Sequence, residues 1–230
     1  MPDKDYKWIG RGIYTLSAAS RLTRIPSVSI SRWLKGYTHY GSERGHDPVI
    51  GSGLDRVDGR PSLSFADLIE IQFIAQFRRH KISMKVIRYT AKKAAALIQS
   101  DHPFSSKSFR TVGRRIIYDS ADETGDRRLL DLYNDQYAIE KIVDLFLKDS
   151  LEYEQNQPGQ WWPLGLDRAV ILDPKRSFGA PIVDQGSVQT SALMSTYFAE
   201  DRDADVVAGW YGVSVDAVKD AVEFEQRLAA

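Results

Sequence analysis

The sequence predicts a mainly α-helical chain: an N-terminal winged helix-turn-helix module with a helical extension, then a small helical C-terminal module with a short β-hairpin. Three observations lead there. Apolar residues recur at helical spacing through much of the chain, two short helices flank a proline turn near the N-terminus, and charge divides about the middle. The 230 residues carry 31 Lys and Arg against 31 Asp and Glu, yet residues 1–118 hold 21 basic and 9 acidic side chains while the remainder holds 10 and 22. A basic half suits a polyanion and an acidic half does not, so the chain reads as built for two different surfaces.

Taken in order, Thr15–Leu22 is a short helix with Leu16, Ala19 and Leu22 on one face, and Pro26 bars helix at Ile25. Ser27 or Ser29 is expected to cap a second helix that runs to Leu34 and stops at Gly36. Tyr37–Tyr40 reads as one strand of a wing, and the rest of 36–63 as loop. Ser64 with Asp67 approximates a capping box for a helix to about Arg79. Ser83 caps the next helix, with Met84, Ile87, Ala91, Ala94, Ala95 and Ile98 at its apolar positions. Phe109–Tyr118 reads as two strands turning at Val112-Gly113, and a further helix is expected over 129–151. Residues 154–166 look like a linker with two anchoring tryptophans, which sets the expected boundary between domains 1–153 and 154–230. Ala169–Pro174 and Ser177–Val183 give two short strands. Helices near 190–200, 203–211 and 214–228 follow, with Ser214 capping the last.

The first helix pair lies in the most basic ground: residues 6–42 hold six basic side chains and no acid. A recognition helix in a major groove needs short donors and acceptors near its start and Arg or Lys for bases and phosphates. Arg21, Arg24, Ser27, Ser29, Ser31, Arg32 and Lys35 meet that need. Residues 78–115 form a second basic region with 11 Lys and Arg and one acid. There Arg110, Arg114 and Arg115 are expected beside a hairpin turn, in reach of phosphate. The plainer readings are a basic helical hairpin and a solvated helix face.

Other chemistry finds little support. With no cysteine, disulfides and thiolate zinc sites are excluded, which suits a reducing cytosol. His39, His46, His80 and His102 lack metal-ligand spacing and read as loop or cap residues. The late acids Asp201–Asp205 and Asp216 fall at helix starts, where the helix dipole favours them. Gly51-Ser-Gly53 lacks the setting of a phosphate-binding loop, and no nucleophile motif is present. No catalytic residue, metal or cofactor is expected. No leader and no membrane-crossing run is read, so the expected location is cytoplasmic.

Three stretches carry a resemblance. Ile13–Leu34, with the wing-like segment and Leu63-Ser-Phe-Ala-Asp-Leu, resembles the MerR-type winged helix-turn-helix. Asp173-Pro-Lys-Arg-Ser-Phe-Gly-Ala-Pro-Ile-Val183 and Val206–Val218 are similar to the domain of unknown function 433, and His102–Arg115 matches a segment of its larger members. The combination resembles a VapB-type antitoxin of a type II toxin–antitoxin pair. That resemblance implies a non-enzymatic protein that neutralises a PIN-like ribonuclease toxin and represses its own operon, as a homodimer or higher assembly. Lys175, Arg176 and Phe178 are the expected toxin-binding residues, with Lys175 and Arg176 a basic island in the acidic half. The alternative is a MerR-like regulator whose C-terminal domain senses a small molecule, with Trp161, Trp162, Tyr197, Trp210 and Tyr211 lining its pocket or simply forming core.

Overall fold

The computed structural model describes residues 9–38, 45–51, 53–54, 59–135 and 150–229. It divides into two compact units. The helical unit takes Tyr14–Lys148 and Tyr153–Pro158, and the sheet unit takes Met1–Ile13, Asp149–Glu152 and Gly159–Ala230. The expected boundary at 153/154 thus falls inside a strand.

In the helical unit, β1 (Tyr14–Thr15) pairs antiparallel with β4 (Ser62–Leu63), and the small β2 (Tyr37–Thr38) pairs with β3 (Gly45–His46). Helices α1 (Leu16–Thr23) and α2 (Ser27–Lys35) lie between, followed by α3 (Phe65–Arg79), α4 (Met84–Ile98), α5 (Lys107–Thr124) and α6 (Arg127–Asn134). Helix α3 is the spine. It is apolar on nearly every side, as a helix must be when neighbours surround it, and Phe65 through Phe77 are buried apart from Ala66 and Gln76. Its start is the expected capping box: Ser64 Oγ accepts from Asp67 N, and Asp67 accepts from Ser64 N.

The expected hairpin over 109–118 is corrected to helix α5. Ser106 caps it by accepting from Phe109 N, and Phe109, Gly113, Ile116, Ile117, Ser120 and Ala121 form one buried stripe at helical spacing. Gly113 makes no turn. A Cβ there would lie 2.9 Å from the Phe109 ring, which is itself wedged against Phe104 and Phe73 at ring centroid distances of 5.2 and 6.2 Å. Gly113→Ala should therefore destabilise the unit by about 1–3 kcal/mol in urea unfolding, although alanine is the better helix former. Asn156 closes the start of α5: its carbonyl accepts from Lys107 N, and its side chain accepts from Ser108 N and Ser108 Oγ.

Two further expectations change. The helix expected over 129–151 is α6 up to Asn134; residues 136–149 lie outside the described residues, and Leu151 begins a strand. The expected linker 154–166 is in part strand, at Glu154 and over Gln157–Trp161. β5 (Leu151–Glu154) and β6 (Gln157–Trp161) open a five-stranded sheet that continues through β7 (Val170–Leu172), β8 (Pro181–Val183) and β9 (Val188–Gln189), in chain order. Trp161 pairs with Leu172 and is buried, so the apolar anchor is a sheet residue.

Three helices complete the sheet unit: α7 (Thr190–Ala199), α8 (Ala204–Tyr211) and α9 (Val215–Ala229), close to the expected spans. Val183, Leu193, Val207, Ala208, Val213, Ala217, Val218 and Ala221 form its core. Ser214 Oγ accepts from Ala217 N, as a cap for α9 should. Asp220 ties α9 to the chain before β7, accepting from Arg168 Nε and Nη2 at 2.8 and 2.6 Å and from Ala169 N at 2.8 Å. Those hydrogen bonds, with those of Glu223, hold the Arg168 guanidinium well above its ordinary value and Glu223 below the usual carboxylate range.

Candidate nucleic-acid and partner interfaces

The α1–α2 pair is set by buried residues and presents polar ones. Thr15 caps α1 by accepting from Ala18 N at 3.0 Å, and Arg24 ends it in the left-handed conformation. Neither Ser27 nor Ser29 caps α2. Pro26 holds that position, with its carbonyl accepting from Ser29 N and Ile30 N. Because proline already fixes the turn, the serine hydroxyls are not spent on the helix start. Ala19, Leu22, Ile30 and Trp33 are buried, whereas Arg21, Arg24, Ser27, Val28, Arg32 and Lys35 are exposed and Ser29 and Ser31 half-buried.

An open cleft of about 530 Å³ lies between the two helices, lined by Leu16, Ser17, Ser20, Ser27, Val28, Ser31 and Arg32. It gathers Ser27, Ser31 and Arg32 from the expected set and adds Ser17 and Ser20. The four hydroxyls each donate and accept, and the guanidinium supplies charge. Just beyond α2, the Arg32 guanidinium lies 5.6 Å from the Tyr37 ring centre and Arg88 lies 5.7 Å from the same ring. Arg110, Arg114 and Arg115 sit on α5, with Arg110 and Arg114 half-buried and Arg115 exposed.

The loop between β7 and β8 is the second candidate. Buried Asp173 organises its start, accepting from Lys175 N and from Gln160 Nε2, both at 2.9 Å. Ser177, Phe178 and Gly179 follow with φ of 46°, 54° and 82°. Two consecutive non-glycine residues in that region cost free energy, and such strain accumulates where a loop has to present a side chain. Phe178 is presented: its ring is 66% exposed while its carbonyl accepts from Ile13 N. Arg176 is used differently. Its guanidinium bonds Asp184 Oδ1, the Asp184 carbonyl and Ser187 Oγ, so it clamps the loop. Lys175 is exposed.

One buried polar cluster goes unseen in the sequence reading. Asp67, Glu70 and His102 meet under the helical unit's surface, with Asp67 Oδ1 2.6 Å from His102 Nε2 and Glu70 accepting from Ser105 N at 2.8 Å. Burial pushes the Glu70 carboxyl up to about 7, against the opposing pull of His102 and of the Ser105 N–H. Burial alone would lower His102, but the hydrogen bond to Asp67 and the nearby acids raise it. The available signal was two acids and a glutamine in a stretch, 65–75, that is otherwise apolar. Such residues must be buried and must find partners. No group of three or more acids and histidines among the described residues is arranged to hold a metal ion. No helix there is long and apolar enough to cross a membrane.

The arrangement is that of a two-unit helical protein with a small sheet, a fold shared with the crystal structure of Rv2018 from Mycobacterium tuberculosis. The two agree at a TM-score of 0.70, over 91% of this chain and 96% of that one, with 24% identity. In sequence, the chain is similar to the Mycobacterium tuberculosis (strain ATCC 25618 / H37Rv) protein named "Putative antitoxin VapB45". The identity is 25% over 223 residues, covering 92% of each. No protein-family model matches the chain.

Proposed function

We propose that the chain is the antitoxin of a type II toxin–antitoxin pair, which neutralises a PIN-like ribonuclease and represses its own operon by binding operator DNA. The observation that carries this is the end-to-end likeness to a protein named as an antitoxin, since it spans both units. The basic helix pair supports the repressor part. Arg21, Arg24, Ser27, Ser29, Ser31, Arg32 and Lys35 act as a winged helix-turn-helix reading head, with β2–β3 as the wing. Arg110, Arg114 and Arg115 contribute phosphate contacts. One short recognition helix reads few base pairs, so the chain binds as a dimer. In the sheet unit, resembling the domain of unknown function 433, Lys175 and Phe178 contact the toxin and Arg176 holds their loop. The protein acts in the cytoplasm and performs no chemistry itself.

The small-molecule regulator is the second reading. An open cleft of about 890 Å³ in the helical unit favours it, where Arg88 Nη2 is buried without an acceptor among the described residues. The aromatic residues expected to line a sensor pocket do not favour it, since Trp161 is buried in the sheet and Trp210 stands in solvent.

The test uses the full-length chain, its own promoter, and the nuclease encoded beside it. Promoter binding should weaken steeply with salt. Arg24→Ala and Arg32→Ala should each lower affinity and reduce the slope of log affinity against log salt by about one. Wild type should abolish ribonuclease activity at stoichiometric ratio. No promoter binding at low salt removes the repressor half of the reading, and no complex with the nuclease removes the antitoxin half.

A further inference from the structure

Helix α8 carries a glycine that nothing among the described residues explains. Asp203 caps the helix, accepting from Asp205 N and Val206 N, and Val207 and Ala208 face the core. The other side carries Val206, Gly209 and Trp210, which share one face by their three- and four-residue spacing. A mid-helix glycine destabilises a helix relative to alanine, so it usually has a packing reason. Gly113 has one in the Phe109 ring, and Gly212 has one in its left-handed conformation after α8. Gly209 has neither: it lies within the helix, is exposed, and a Cβ there would meet nothing within 4 Å among the described residues. Beside it Trp210 is 64% exposed and Val206 38% exposed. A helix that exposes Val206 and Trp210 on its outer side while its inner side packs on the core lacks a neighbour there among the described residues.

The surroundings indicate what that neighbour is. Glu200, Asp201, Asp203 and Asp205 precede the face with Arg202 as their only cation, a formal charge of −3 over residues 200–205. A second copy seated symmetrically on the face would bring like acids together. The complementary occupant is a protein surface with an apolar socket for an indole and a basic rim. A ribonuclease has such a rim wherever it holds the RNA backbone, because phosphate must be met by Lys or Arg.

We infer that the outer face of α8 is the principal docking surface for the basic, RNA-binding side of the nuclease partner, with Trp210 as the anchor and Gly209 as the point of close approach. This rests on the antitoxin reading and adds to it a surface other than the 175–178 loop. The acidic rim competes with RNA for the same cations, so inhibition comes from covering the substrate path.

The test uses full-length variants against the purified nuclease encoded beside the chain, by calorimetric titration and RNA cleavage. Trp210→Ala should weaken binding about 100-fold or more, as hot-spot aromatics do, with the unfolding midpoint nearly unchanged because the side chain is largely in solvent. Gly209→Ala should separate the two properties. The unfolding midpoint of the free chain should rise by about 2–4 °C, while nuclease binding should fall at least tenfold. Asp205→Lys should weaken binding most at low salt. Undiminished affinity in both Trp210→Ala and Gly209→Ala, with wild type binding normally, overturns the assignment and leaves the antitoxin reading intact. Failure of wild type to bind the nuclease overturns both. If Trp210→Ala instead abolishes self-association in analytical ultracentrifugation and spares nuclease binding, the occupant is a second copy, and the inference fails.

Discussion

Asp67→Ala should lower the unfolding midpoint of the helical unit by roughly 10–20 °C in calorimetry, corresponding to about 3–5 kcal/mol. The Asp67 side chain is fully buried and serves three pieces of chain at once. It accepts from Ser64 N at 2.7 Å and Ser64 Oγ at 2.9 Å, from Gly53 N at 3.1 Å, and meets His102 Nε2 at 2.6 Å. Alanine keeps the Ser64 cap on residue 67 but leaves the buried Ser64 N–H without its acceptor and removes the partner of the part-buried Gly53 N–H and His102, which costs more than the bonds themselves contribute. Residue 53 packs closely on the same cap, because a Cβ there would lie 2.7 Å from Ser64 Oγ. Asp67→Asn retains an acceptor but cannot serve His102 and both backbone donors equally, so it should fall between wild type and alanine. A midpoint within about 3 °C of wild type for Asp67→Ala would show that the cluster contributes little.

Glu70→Gln should stabilise the same unit at pH 8 and leave it nearly unchanged at pH 5. Burial holds the folded-state carboxyl near 7, against an ordinary value of 4.5. Between these values the folded chain keeps a proton that the unfolded chain has released. Stability therefore falls as pH rises from about 4.5 to 7 and levels off above, by about 3 kcal/mol in all. His102 acts in the same direction in a higher window. Its contribution is complete below 6.5 and disappears as pH climbs through its raised folded value. The glutamine side chain keeps the acceptor for Ser105 N while removing the ionisation, so the difference in midpoint between wild type and variant should grow from pH 5 to pH 8. Asp67, Asp101, Arg110 and Tyr153 remain in both proteins and cancel in that difference. A difference that stays flat across this range would rule out Glu70 as the source.

Much of the local structure was legible because it depends on short-range rules. The Ser64–Asp67 capping box, the Pro26 turn, the Pro-bounded strand at 170–172 and the last three helices each depend on residues within a few positions of one another. The failures share a cause in packing and pairing that residue type alone does not show. Gly113 reads as a turn because glycine permits one; the buried Phe109 ring makes it a packing glycine instead. Residues 154–166 read as a linker because Pro158, Gly159 and the polar residues are typical of one. Pairing with β5 on one side and with β7, at Trp161 and Leu172, on the other makes Gln157–Trp161 a strand. Ser27 and Ser29 have the chemistry of caps, but Pro26 takes that role and leaves Ser27 lining an open cleft.

The candidate surfaces divide in the same way. Charge and residue type mark the α1–α2 pair and the 173–183 loop, since these are visible in a linear chain. Which members are presented depends on neighbours far along the chain: Asp184 and Ser187 engage Arg176, while Phe178 is left in solvent. A mainly helical chain with a basic first half and an acidic second half follows from residue order alone, because periodicity and charge belong to the residues themselves. Packing in three dimensions was needed to bring Asp67, Glu70 and His102 into one buried site. It was needed equally to leave Gly209 and Trp210 exposed among the described residues of an acidic unit, because burial is a property of what packs against a residue and not of the residue itself.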